Sequence, residues 1–317
     1  NFGGNALYAS TTPTLTLRNN IFKNSITPTG SGVAVAHRRS SSTLTTYANA
    51  SNNNMFYAGT PGAANLIYTD GTTPQQTIDA YKTAVNPRDG ASVTENSNFL
   101  SLTGSSANYL HIDPTVATQL ESNAVNIAGI TDDYDGVIRQ GNPGYVGTGS
   151  SPDIGADEGD FIPKDISGPG IAYTALGGSC GTGDLFLNGV VITDVTGIPL
   201  SGSYIPRIYY KKGAGSYVSS AGTYVSGSIN NSTWNFTMSA AALGGLATGD
   251  VVSYYVIAQD NVAPINISSN PGGVVATDVL TVTTHPTTPN TATILSSLSG
   301  TYTVGAGGNY PTLSAAI

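Results

Sequence analysis

Charged side chains are scarce in this sequence: 9% of its 317 residues, against about 25% in an average soluble protein. Solubility must therefore come from Ser, Thr, Asn and Gly, which run through the whole chain. Lys and Arg number 11 against 19 Asp and Glu, a net charge of −8, and that balance excludes a phosphate-neutralising surface for nucleic acid. Cysteine occurs once, at Cys180, so no internal disulfide framework staples the fold and apolar cores must hold it. The flanking GGSCGTGD reads as a plain loop, not as the setting of an activated thiolate. No apolar run approaches the roughly 20 residues that a membrane-spanning helix needs. Ser-His-Asp spacing, CxxC pairs and HExxH are also missing, and GAGGN near the end lacks the Lys-Ser/Thr of a phosphate cradle.

What is present favours strands. Thr, Tyr and Val are abundant, and 39 Gly and 17 Pro punctuate the chain often enough for many short strands and turns. An all-β extracellular protein of about two domains is expected. The chain starts at Asn1 without a signal peptide, which is expected of a cut through a longer polypeptide.

Residues 1–162 are Asn-rich, with short extended pieces such as Leu15-Thr16-Leu17 and Val33-Ala34-Val35 between polar loops. RNNIFKN (18–24) and SNNNMFYAG (51–59) repeat a theme, with VTENSNFLS (93–101) as a weaker third. Each sets Asn before a bulky apolar pair. In a stack of parallel coils, such an Asn at the turn bonds to the backbone above and below while the apolar residue enters the core. Asparagine as an ordinary turn residue is the competing explanation. One helix is expected within 75–87, where Ile78, Tyr81, Lys82 and Val85 follow helical spacing ahead of Pro87.

From about residue 163 alternating strands become clear: PRIYYKK (206–212), STWNFTM (232–238) and DVVSYYVIAQD (250–260). Trp234 and Phe236 share one strand face, and Tyr254, Val256 and Ala258 share another, which predicts two inner faces packed together. A sugar platform is the alternative for Trp234. THPTTPNTAT (284–293) lacks apolar periodicity and is expected to be a stiffened linker.

Several segments carry a family resemblance. GTYTVGAGGNYPTLSAAI (300–317) resembles the entry of right-handed parallel β-helix proteins of the pectinesterase-like and lyase-like kinds, where a short helix caps the first coil. TVATQLESNAVNIAGITDDYDGVIRQGNPG and SPDIGADEGDF, within 115–161, look like the C-terminal end of β-helix domains in large secreted surface proteins of Bacteroidetes-type bacteria. DISGPGIAYTAL (165–176), PRIYYKK and GDVVSYYVIAQD resemble the Ig-like module that follows in such proteins. The resemblance implies the C-terminal part of a parallel β-helix in 1–162, an Ig-like β-sandwich in 163–283, a Thr/Pro linker in 284–299 and the N-terminal cap of a further β-helix in 300–317. It also implies an extracellular or cell-surface location and export through a C-terminal signal domain absent from this chain. The expected partners are neighbouring repeats of the same polypeptide or other copies of it, and surface polysaccharide.

Two clusters invite chemistry. Asp132, Asp133 and Asp135, with Asp153, Asp157 and Glu158, set short carboxylates among glycines, as a structural Ca²⁺ site would; turn capping is the alternative. Asp260-Asn261 and Asp165 offer further oxygen ligands near strand ends. His37, Arg38 and Arg39 form the one basic cluster; on a strand they alternate faces, so a solvated loop or pairing with acids is expected rather than a uronate-binding groove. The leading expectation is a non-catalytic structural or adhesive repeat of a giant secreted surface protein or filament. The alternatives are a fragment of a β-helix polysaccharide lyase or hydrolase, and a carbohydrate- or ice-binding module suggested by TLTL at 14–17.

Overall fold

RNNIFKN and NNNMFYA lie side by side. Arg18 bridges to Asn52, and strand β2 (Ile21–Lys23) pairs in parallel with β4 (Met55–Tyr57), which sets Ile21 beside Met55, Phe22 beside Phe56 and Lys23 beside Tyr57. A similar, slightly shorter offset joins a second set of strands. Strand β1 (Gly4–Ala9) pairs in parallel with β3 (Ala34–Arg39), and β3 with β5 (Asn65–Thr69), so the chain returns to the same place about every 30 residues. The computed structural model describes residues 1–296 and 301–316, all-β with several sheets, none closed. They divide into two compact units, Asn1–Asp165 and Ile166–Ile317.

In the first unit, Asn19 and Asn53 turn the corner before β2 and β4 with φ of 59° and 56°, a left-handed conformation that Asn tolerates better than other non-glycine residues. The next asparagines knit the passes together. Asn54 Oδ1 accepts from Asn20 N–H at 3.0 Å, and its Nδ2 donates to Leu17 O at 3.0 Å and to Asp89 Oδ1 at 2.9 Å. Asn54 is fully buried, and its amide thus bonds to the passes on either side of it. The third pass departs from the theme. Val93 stacks on Met55, but Ser92 and not an asparagine stands against Asn54, its Oγ accepting from Asn54 N–H at 2.9 Å, while Asn96 and Asn98 are exposed.

That shift follows from an insertion. Helix α1 (Ile78–Val85) starts at Thr77, whose Oγ1 caps Ala80 N–H, and it buries Tyr81 and Val85 in the core beside Phe56, Ile67 and Tyr68. The helix and its following turn lengthen the third pass and reset its register. Beyond residue 95 this unit has isolated bridges but no regular strands, and a second core forms around Met55, Ile112, Leu120 and Ile154.

The second unit is antiparallel. Its strands are β6 (Gly170–Ala172), β7 (Gly178–Ser179), β8 (Leu185–Thr193), β9 (Arg207–Lys212), β10 (Val218–Ala221), β11 (Thr223–Ser228), β12 (Asn231–Met238), β13 (Val251–Gln259), β14 (Ile267–Asn270), β15 (Val275–Asp278), β16 (Thr281–Thr284) and β17 (Asn290–Ile294). One sheet runs β11-β12-β8-β6, a second β10-β9-β13-β17-β7 with β14 also on β13, and β15 and β16 form a separate pair. Among the described residues of this unit, the β17–β7 strand pair alone is parallel. One core receives Trp234 and Phe236 from the first sheet and Tyr254, Val256 and Ala258 from the second. Trp234 is fully buried, with Nε1 donating to Ser232 Oγ at 2.9 Å, which places it in the core and not on a sugar-facing surface. The inward alternation of β8 breaks between Leu187 and Val190, where a bulge with Gly189 at φ 71° restores it.

The Thr/Pro segment is not wholly a linker. β17 lies inside it and pairs with β13 and β7, burying Ala292 and Ile294, because the short NTATI run supplies two inward apolar residues to an open sheet edge. Residues 297–300 and 317, parts of the expected linker and cap, lie outside the described residues. Within 301–316, Val304 bridges to Tyr310 around a glycine turn, and helix α2 (Leu313–Ala316) follows.

Candidate functional site in the acidic loops of the first unit

The segments around 131–139 and 153–160 have few ladder bonds, so backbone N–H groups there need other acceptors. Carboxylates supply them. Asp153 accepts from Ser122 N–H at 2.7 Å and from Gly159 N–H at 3.0 Å. Glu158 accepts from Gln140 N–H at 2.9 Å and from Asp153 N–H at 3.0 Å, and lies 3.3 Å from Arg139 Nη2. Asp133 takes the N–H groups of Asp135 and Val137 on one oxygen, both at 2.8 Å, and that of Glu158 on the other at 3.0 Å. Asp132 is exposed, with Thr131 Oγ1 3.3 Å from its carboxylate. Two further acids the sequence reading passed over act alike: Glu121 binds Phe161 N–H at 2.9 Å and Glu95 binds Gln119 N–H at 3.0 Å.

Asp153 and Glu158 are almost fully buried. Burial pushes the Asp153 carboxyl up to about 8, with Glu121 and Glu158 adding to the rise and its two backbone bonds opposing it.

Asp135 and Asp157 are arranged differently. They meet at His111, with Nε2 3.1 Å from Asp135 Oδ2 and Nδ1 3.6 Å from Asp157 Oδ1. One donor atom from each of the three residues lies within 4.8 Å of the others. Asp157 is held in place by Ile112 N–H, 2.7 Å from Oδ2, which leaves Oδ1 turned to the imidazole. Burial raises the Asp157 carboxyl above its ordinary range; Ile112 N–H and His111 lower it, and Asp133 and Asp135 raise it further. No local pattern could have found His111, because its partners come from loops far along the chain. Beside this cluster runs an apolar groove of about 590 Å³, lined by Phe22, Lys23, Phe99, Leu102, Leu110 and Ala156 among others.

The basic cluster has a different fate from the solvated loop expected for it. Arg38 is exposed, but His37 and Arg39 are buried in the core, because the aromatic residues of later passes close over β3. His37 stacks on Phe56 and meets Tyr47, Tyr68 and Tyr81 edge-on. Tyr47 and Tyr81 both donate to Asp89 Oδ2, the latter at 2.6 Å, so the Tyr81 oxygen is left to accept from His37 Nδ1 at 3.0 Å. Arg39 lies over the Tyr47 ring and donates to Thr43 O at 3.0 Å. His37, Tyr47, Tyr81 and Asp89 form a buried polar network, while Arg39 bonds separately to Thr43 and Thr46; His37 Nε2 and Arg39 Nε and Nη1 are buried without a partner.

In the second unit, Asp260 binds its own loop, accepting from Asn266 N–H at 2.9 Å and from Asn266 Nδ2 at 2.7 Å. Cys180 is an exposed free thiol. No helix among the described residues is long and apolar enough to cross a membrane. No family model matches the chain, and no curated protein matches it in sequence.

Proposed function

We propose that this chain is a structural and adhesive segment of a large secreted or cell-surface protein, with its first unit built as a right-handed parallel β-helix and its second as an Ig-like β-sandwich. One observation carries the reading: RNNIFKN stacks residue by residue on NNNMFYA, with a buried amide tying the passes together. A stack of that kind gains stability by adding passes and presents a long lateral face, which suits a stiff extracellular element. The resemblance to Bacteroidetes-type surface proteins supports the same reading, with neighbouring repeats as partners.

The residues that motivated the rival readings are not gathered on one face: of the basic cluster, Arg38 alone is exposed. His37 and Arg39, which a uronate-cleaving groove would need at its surface, are buried. Leu15 bridges to Tyr47, so Ala48 and not a threonine follows Thr16 in the next pass, and TLTL does not extend into a threonine array.

Electron microscopy of the parent polypeptide is the test. An elongated particle with segments recurring along its length is expected, displayed outside the cell and accessible to antibody. A compact particle, or one confined within the cell, overturns the proposal. Release of unsaturated sugar from a panel of acidic polysaccharides would replace it with the lyase reading.

A further inference from the structure

Six carboxylates in the acidic loops stand out in the sequence, yet the structure commits most of them elsewhere. Asp133, Asp153 and Glu158 spend both oxygens on backbone N–H groups, and Asp132 lies apart on the surface. A Ca²⁺ ion takes six to eight oxygens, and those three acids are turned toward backbone N–H groups of the surrounding loops. Asp135 and Asp157 instead converge on an imidazole. From the convergence of His111, Asp135 and Asp157 we infer a binding site for a borderline divalent transition-metal ion of the Zn²⁺ class, independent of the functional reading above.

Three observations carry this. The donor set is one nitrogen and two carboxylate oxygens within 4.8 Å of one another, and the 3.1 Å between His111 Nε2 and Asp135 Oδ2 fits two ligands at about 2.0–2.2 Å from a shared ion. Imidazole is a preferred ligand for Zn²⁺, Cu²⁺, Ni²⁺ and their neighbours and a poor one for Ca²⁺. The second observation is charge. Asp135 and Asp157 are two carboxylates gathered around one imidazole, and no Lys or Arg among the described residues lies within ion-pair distance of either. A divalent cation among them would supply the positive charge that no Lys or Arg brings.

The third is preorganisation with an open side. Asp157 is anchored through its other oxygen to Ile112 N–H, and its side chain is 15% exposed, whereas Asp135 is 42% exposed. Solvent can therefore complete the coordination of an ion held by three protein ligands. Binding would pin the loops of residues 111, 135 and 157 together, in the stretch of the unit where regular strands are missing.

The test is titration of the whole chain with ZnCl₂ by calorimetry, in a Cys180→Ser background that removes the exposed thiol as a competing ligand. One equivalent is expected to bind, with affinity falling by more than tenfold in His111→Ala and in Asp157→Asn and unchanged in Asp132→Asn; loss of an orienting partner alone costs roughly 10–100-fold at a metal site. Shifts of the His111 imidazole signals on adding Zn²⁺ are expected in proton–nitrogen NMR. Asp135→Asn, at an exposed position, supplies a second ligand variant if His111→Ala does not fold. Absence of stoichiometric binding, binding undiminished by His111→Ala or Asp135→Asn, or displacement of Zn²⁺ by equimolar Ca²⁺ overturns the inference.

Discussion

Phe22 lies nearly flat on Phe56, with ring centroids 5.3 Å apart and planes 17° from parallel, although the two belong to different passes of the chain. The pair shows how the first unit is held: equivalent residues of successive passes meet like with like. Phe56 is fully buried, whereas Phe22 sits at the edge of the core. Phe56→Ala is therefore expected to lower unfolding free energy by about 3–5 kcal/mol, and Phe22→Ala by clearly less. Urea denaturation followed by far-UV circular dichroism measures both; equal effects would contradict the burial difference.

Asn54 gives a sharper prediction, because it both donates and accepts. Asn54→Ala strands the Asn20 N–H, at about 1–3 kcal/mol for a buried group left unpaired, and takes one of two donors from the Leu17 carbonyl, which keeps Asn52 N–H. Asn54→Asp keeps the acceptor but sets a carboxylate where Nδ2 now donates to Asp89. It is expected to be worse than alanine at neutral pH and to recover as the pH falls. Denaturation midpoints at two pH values check this, and an aspartate variant insensitive to pH counts against the ladder.

Two buried groups pull stability in opposite directions with pH. Burial, with the charge of Arg39, holds the His37 imidazole down to about 3 from an ordinary 6.5. Its contribution is complete above pH 6.5 and is lost as the pH falls toward 3, because only the unfolded chain takes up the proton. Asp153 is raised from 3.8 to about 8, so its contribution is complete below 3.8 and is lost as the pH rises through 8. From about pH 4 to 6.5 the two oppose each other; from 6.5 to 8 the Asp153 slope stands alone. Stability against pH for His37→Gln, Asp153→Asn and the unaltered protein separates them. The glutamine variant should lose the decline at acid pH and the asparagine variant the decline between 6.5 and 8. Parallel curves for all three proteins would refute both assignments.

Much of this was legible where the signal is local. The asparagine–apolar theme marks the stacked passes, helical spacing marks α1, and alternation marks the inward faces carrying Trp234 and Tyr254. What escaped the sequence depends on distant residues. The asparagines of 93–101 fall out of register because α1 lengthens the pass before them. His37 and Arg39 are buried by aromatic residues tens of positions later, which no alternation within AHRRSSS reports. β17 is too short and too close to Pro286 and Pro289 to read as a strand until β13 supplies its partner. His111 carries no motif, since Asp135 and Asp157 reach it only through the fold.

In the second unit, Gly222 marks a close approach. A Cβ there would meet Phe236 at 2.7 Å and Trp234 at 2.9 Å. Gly222→Ala is expected to cost about 1–3 kcal/mol through overpacking. Trp234 fluorescence during denaturation gives the measurement, and a neutral result would mean that both rings shift freely.

The in-register passes also constrain how such a chain can change in length. Within the stacked segments, an insertion of one residue would set Asn54 against a side chain other than Asn20 and Phe56 against one other than Phe22. The first unit therefore has two kinds of position for a change in length: the short stacked segments, where register is fixed, and the connections between them, where α1 takes up extra residues between Met55 and Val93.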